Sequence, residues 1–112
     1  MSKIDDQTRL RHMRDAAVEA TRFAQGRSRE SLNTDRMLAL SLVKLVEIMG
    51  EAASRVSQET RSQLPRIPWV QIISMRNRLT HAYFDIDLDI VWKTATEDLV
   101  LLIAELERVV EK

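Results

Sequence analysis

Between residues 34 and 57 the apolar side chains recur at steps of three and four: Leu38, Leu42, Leu45, Met49, Ala52 and Val56. That spacing returns again and again to one side of an α-helix, so the segment must bury a stripe against other elements. Little elsewhere in the chain works against helices. Only two glycines and two prolines interrupt its 112 residues, and these are the residues that most often break regular structure. One glycine, Gly50, lies inside this helix. It costs about 1 kcal/mol relative to alanine there, and close approach of another helix is a reasonable compensation.

Three further helices emerge from the same periodicity. Leu10, Met13, Ala17, Ala20 and Ala24 mark a first helix over residues 4–25. "GRSRESLNT" reads as a polar loop, with Asn33 or Thr34 placed to cap the second helix. "SQETRSQLPRIP" is a connection with room for one short turn; Pro65 and Pro68 stop helix propagation, and Pro68 suits the first turn of the third helix. That third helix, "WVQIISMRNRLTH", turns Ile72, Met75 and Leu79 to the core. Asp85 or Asp87 can cap a fourth helix running to residue 110, where early acids complement the helix dipole. Its apolar band is broad: Val91, Ala95, Leu99, Leu102, Leu106 and Val109, with Trp92, Ile103 and Val110 beside them. Such a band serves either a wide intramolecular core or a core plus a second subunit. The fold expected is all-α: an antiparallel four-helix bundle over residues 1–112, one domain, with a short extra helical turn and a capacity to form a homodimer.

Composition narrows the chemistry. The chain has no cysteine, which removes disulfides, thiolate metal sites and a cysteine nucleophile. The start, "MSKIDDQTRLRHM", lacks the apolar run of a signal peptide, and no stretch has membrane-spanning length; a cytoplasmic protein is expected. The formal net charge is zero, yet residues 55–81 carry five arginines against Glu59, and residues 85–112 carry eight acids against three bases. A neutral total therefore hides a local basic field. Thirteen of the seventeen basic residues are arginine, whose planar fork grips phosphate by paired bonds.

The stretch "RNRLTHAYFD", residues 76–85, gathers arginine, asparagine, histidine and tyrosine at the end of the third helix. If the helix continues through it, Asn77 and His81 share one row, and Arg76, Thr80 and Tyr83 a second. Arginine, imidazole and phenol can then meet in one pocket. Cleaving RNA without a metal needs a proton taken from the 2′-hydroxyl, a proton given to the departing 5′-oxygen, and charge offset on the phosphoryl oxygens. Histidine serves the proton roles near neutral pH, and arginine serves the third. Asn77 can bind phosphate or fix the imidazole tautomer. One histidine cannot readily act as acid and base in a single step, so two motifs brought together by a dimer would suit the chemistry. On spacing alone, an unremarkable helix-end histidine fits as well. His12 reads as a surface residue, and Glu47 with Glu51 as an acidic pair lacking a third ligand; no phosphate loop or zinc pattern occurs.

In context, "EIMGEAASRVS" followed by "IPWVQIISMRNRLTHAYFDIDLDIVW" resembles the HepT toxin branch of the HEPN superfamily. The R-x4-H-x-Y pattern of that family is matched by Arg76, His81 and Tyr83, and Asn77 follows the arginine as the family favours. The resemblance implies an all-α homodimer with its motifs at the subunit cleft, and a metal-independent endoribonuclease acting on transfer or messenger RNA. It implies no cofactor. It also implies a type VII toxin–antitoxin pair, in which a minimal nucleotidyltransferase antitoxin of the MntA kind transfers AMP to Tyr83 and so blocks the cleft. By the same resemblance Arg76 and His81 are catalytic, Asn77 and Arg78 support them, and Glu51 of the "GEA" element can orient Arg76 or Arg78. One position departs: Ala82 stands where the family commonly has glycine, and alanine resists positive φ. The alternative is a non-catalytic dimeric module that binds RNA or nucleotide.

Overall fold

A computed structural model describes residues 5–82 and 85–110. Its elements are α1 (Asp6–Ala24), α2 (Ser31–Thr34), α3 (Arg36–Ser54), α4 (Gln58–Gln63), α5 (Trp69–Leu79), β1 (Thr80–Ala82), β2 (Asp85–Ile86), α6 (Leu88–Lys93), a π-helical segment (Thr94–Asp98) and α7 (Leu99–Val109). The architecture is the all-α bundle expected, with four long helical rods, two short helices and one small ribbon.

Side-chain contacts at the helix ends give the order. Asp6, at the start of α1, accepts hydrogen bonds from Ser57 beyond the end of α3, through the backbone N–H at 3.0 Å and the hydroxyl at 2.6 Å, and from the Thr60 hydroxyl. Gln7 donates to the Val109 carbonyl at 3.2 Å, which brings the end of α7 to the same pole. Arg66, just before α5, faces Glu105 of α7 at 4.0 Å. At the opposite pole Arg29 meets Asp89 of α6 at 2.7 Å. Neighbouring rods therefore run antiparallel. Three of the four sides are packed along their length, whereas α5 and α7 stand apart.

The stripes read from the sequence are the core. Every residue named for the first three helices is buried, from Leu10 through Leu79. Along the last rod Val91, Ala95, Leu99, Leu102, Leu106 and Val110 are buried, while Trp92, Ile103 and Val109 are half-buried against the same cluster. Most of the broad band thus closes within one chain. The large apolar side chains this rod leaves open, among the described residues, are Val100 and Leu101. Successive steps of four, Val91 to Ala95 to Leu99, overrun the α-helical repeat. The π turn absorbs the excess, with the Leu99 N–H donating to the Thr94 carbonyl five residues back.

Gly50 has the role its cost suggested. A Cβ there would lie 3.2 Å from the Ile72 carbonyl oxygen and 3.8 Å from that of Ile73. The backbones of α3 and α5 come close at this point, and a Cβ would require them to separate by a few tenths of an ångström.

Two local expectations are corrected. Asn33 and Thr34 are taken up in α2, and the cap of α3 is Asp35, which accepts from the Leu38 N–H at 3.0 Å and from Arg27 at 2.7 Å. The Arg27 hydrogen bond, followed by that from Leu38, holds the Asp35 carboxyl below its ordinary value. Pro68 stands just before α5 rather than within its first turn, its carbonyl accepting from Ile72 at 3.0 Å. Asp87 caps α6, accepting from Ile90 at 3.2 Å, as one of the two candidates anticipated.

Candidate functional site

The last turn of α5 carries positions 76, 77 and 78, and the helix stops at Leu79. There the Leu79 carbonyl accepts from the Asp87 N–H at 2.7 Å, and the chain doubles back as an antiparallel ribbon pairing Thr80 with Ile86 and Ala82 with Asp85. The helical continuation considered for residues 76–83 is therefore replaced. His81 lies on β1, not one turn beyond Asn77 on a shared row. The reason is local: β-branched Thr80 accepts the extended backbone readily, and the return to Asp87 satisfies the helix-end carbonyl. The ribbon also accommodates Ala82. An extended strand carries a Cβ without strain, and no residue other than glycine has positive φ among those described.

Asn77 and Arg78 are exposed on α5. Neither has a hydrogen-bonded or ionic partner among the described residues. The side chains of Arg76 and His81, and Tyr83 as a whole, lie outside the described part of the structure. Glu51 follows Gly50 where α3 meets α5, but its carboxylate is exposed and engaged by Arg55 one turn on, at 2.8 Å. No contact joins it to Arg78 among the described residues.

The acids that follow the motif are partly neutralised. Asp89 is held by Arg29, and Asp87 caps α6. Of the arginines in residues 55–81, only positions 76 and 78 belong to the helix end at this pole, whereas Arg55 and Arg66 lie toward the other, paired with Glu51 and Glu105.

Two grooves went unread in the sequence. Between α1 and α3, Arg9, His12, Lys44, Glu47 and Glu51 line one of about 360 Å³, with the Arg9 Nε buried and unpartnered among the described residues. His12 is exposed, as read, but borders this groove. Between α5 and α7 lies another of about 380 Å³, reached by Arg78. Its signal was present in the steps Pro68, Gln71, Met75 and Arg78, which fall on one flank of a helix. No helix in the described residues is long and apolar enough to cross a membrane.

Comparison with known proteins bears on the whole chain. The family model described as ribonuclease HepT-like matches residues 13–112. A Methanocaldococcus jannaschii protein that carries an RNase name is 29% identical over 107 residues, covering 96% of this chain and 98% of its own. The Thermococcus cleftensis protein named "Probable ribonuclease HepT" is 33% identical over 79 residues, 70% of this chain and 72% of its own. A Caldanaerobacter subterraneus protein with an RNase name is 31% identical over 88 residues, 79% of each chain. No solved structure matches. With nearly its full length matched and the R-x4-H-x-Y pattern in place, this chain belongs to the HepT-like ribonuclease family.

Proposed function

We propose that this protein is an endoribonuclease toxin that cleaves RNA without a metal ion, and that Arg76 and His81 are its catalytic residues. The observation that carries the reading is the coincidence of family and motif: a HepT-like match over residues 13–112 includes Arg76, His81 and Tyr83 in full pattern. In the reaction, the 2′-oxygen of a ribose attacks the adjacent phosphorus and the bond to the 5′-oxygen breaks. The proton leaves the 2′-hydroxyl for one imidazole, and the 5′-oxygen takes one from another. Histidine, with an ordinary pKa of about 6.5, exchanges protons readily at neutral pH. Arg76 stays protonated and offsets charge on the phosphoryl oxygens.

The two proton roles call for two histidines, so the active form is a homodimer with its motifs facing one cleft. Exposed apolar side chains on the outer surfaces of the helices support association: Val70 on α5 is 76% exposed and Met37 on α3 is 80% exposed. In the cell the chain pairs with a nucleotidyltransferase antitoxin as a type VII system. AMP placed on Tyr83, two residues from His81, puts bulk and negative charge where substrate phosphate must sit.

The test is cleavage of transfer and messenger RNA by purified protein free of AMP, in the presence of a chelator. Wild type cuts, and His81→Ala loses cleavage while keeping its oligomeric state. Co-expression with a nucleotidyltransferase of the MntA kind adds AMP mass to wild type and none to Tyr83→Phe. A wild-type protein that binds RNA but leaves every substrate uncut would make it a non-catalytic binding module instead.

A further inference from the structure

The open side of the bundle has a defined chemistry. Met75 of α5 and Leu102 of α7 are buried at its floor, at 5% exposure each, and Leu101 forms a wall that is 72% exposed. Five charged side chains border it. Four cancel in pairs: Lys93 with Asp98 at 3.2 Å, and Arg66 with Glu105 at 4.0 Å. Arg78 is left, with no acid or acceptor against it among the described residues. The result is an apolar floor with one free guanidinium at its edge.

We propose that this groove is a nucleotide subsite for the RNA substrate, in which one base lies against Met75, Leu101 and Leu102 and Arg78 holds the adjoining phosphate. The inference rests on the ribonuclease reading and names a specificity element for it. Size agrees, since ligand sites begin at about 300 Å³ and this groove offers about 380 Å³. Charge agrees too. A single strand presents one phosphate per base, which a lone arginine beside an apolar patch matches, whereas two neutralised pairs offer no field to a highly charged partner. Gln71, exposed on the same flank, adds amide donors and an acceptor for the edge of a base. Position matters most. Arg78 lies two residues beyond position 76, about 3 Å along the helix axis, on another side of α5. In the proposed complex a strand passing over the end of this helix would lead from the motif into the groove.

The experiment compares wild type, Arg78→Ala and Leu101→Ser on short single-stranded RNAs of varied sequence. Both side chains are exposed, so neither change removes core packing. Cleavage gives kcat, KM and the cut positions; binding against salt is measured in a His81→Ala background so that the RNA persists. Arg78→Ala is expected to raise KM several-fold with a smaller change in kcat. It should also flatten the dependence of log affinity on log salt by about 0.7, the share of one phosphate contact on a single strand. Leu101→Ser is expected to redistribute cut positions among bases and leave the salt slope unchanged. Cleavage by wild type with unaltered KM, slope and cut pattern in both variants would overturn the subsite, as would losses that track a change of oligomeric state in gel filtration. A wild type that cuts nothing would instead overturn the ribonuclease reading beneath it.

Discussion

Gly50→Ala is the smallest change that reaches the motif helix from outside it. The added methyl would sit 3.2 Å from the Ile72 carbonyl oxygen, inside ordinary van der Waals contact. That oxygen belongs to the first turns of α5 and is fixed by the helix, so it cannot turn aside as a side chain would. Relief requires α5 to move from α3 by a few tenths of an ångström. Two energies then compete. Alanine favours helix by about 1 kcal/mol over glycine, and forcing a methyl into a packed contact costs roughly 1–3 kcal/mol. The net is a loss of about 1 kcal/mol, which lowers Tm by roughly 5 °C in a domain of this size. Activity should suffer more than stability. Position 76 lies one turn beyond Ile72, and misplacement by about 1 Å can cost on the order of 100-fold in rate. A shift of a few tenths should therefore reduce kcat on the order of tenfold in protein that remains folded. Thermal melting and steady-state RNA cleavage, measured on one preparation, decide it. A variant with raised Tm and undiminished kcat would refute the reasoning, because the α3–α5 contact would then be slack and the propensity gain unopposed.

Two further outcomes are expected from the same structure. Gly26→Ala meets no atom within 4 Å but must hold a φ of +74°, so it should lose roughly 1 kcal/mol through backbone strain and leave RNA cleavage at the wild-type rate, as melting and kinetics together will show. Asp5 and Asp35 cap α1 and α3 with carboxyls held below their ordinary 3.8, Asp5 chiefly by the Thr8 N–H and Asp35 chiefly by Arg27. Because their folded-state pKa values are depressed, their stabilisation is complete above that value and is lost as pH falls through the lower folded values. Asp35→Asn should flatten the acid limb of a denaturation series, and an unchanged limb would show that the cap carries no proton linkage.

The bundle was legible because its information is periodic. Steps of three and four named the buried faces of α1, α3, α5 and α7, and burial in water-excluded stripes depends on little else. The cost of Gly50 likewise pointed to a close helix contact before any partner could be named. What was not legible depended on partners distant in sequence. Asp35 displaced Asn33 and Thr34 as a cap because Arg27 and the short α2 place it there. The end of α5 at Leu79 is set by Asp87, eight residues on, and no local preference in "RLTHAY" announces that bond. The π turn, too, exists to keep Leu99 and Leu102 in phase with a core made by other helices.

The same distinction resolves how a chain of zero net charge can act on a polyanion. Charge totals count every group equally, whereas a phosphate responds to the guanidiniums left without an acid nearby. Here many of the described acids are occupied: Asp89 by Arg29 at the pole where α5 ends, Asp98 by Lys93 along the last rod, and Glu105 by Arg66 and Arg108 and Glu51 by Arg55 toward the other pole. Such exposed pairs stabilise the fold little. Their larger effect is to neutralise carboxylates that would otherwise repel a strand, leaving Arg78 at the end of α5 as an exposed guanidinium with no partner among the described residues.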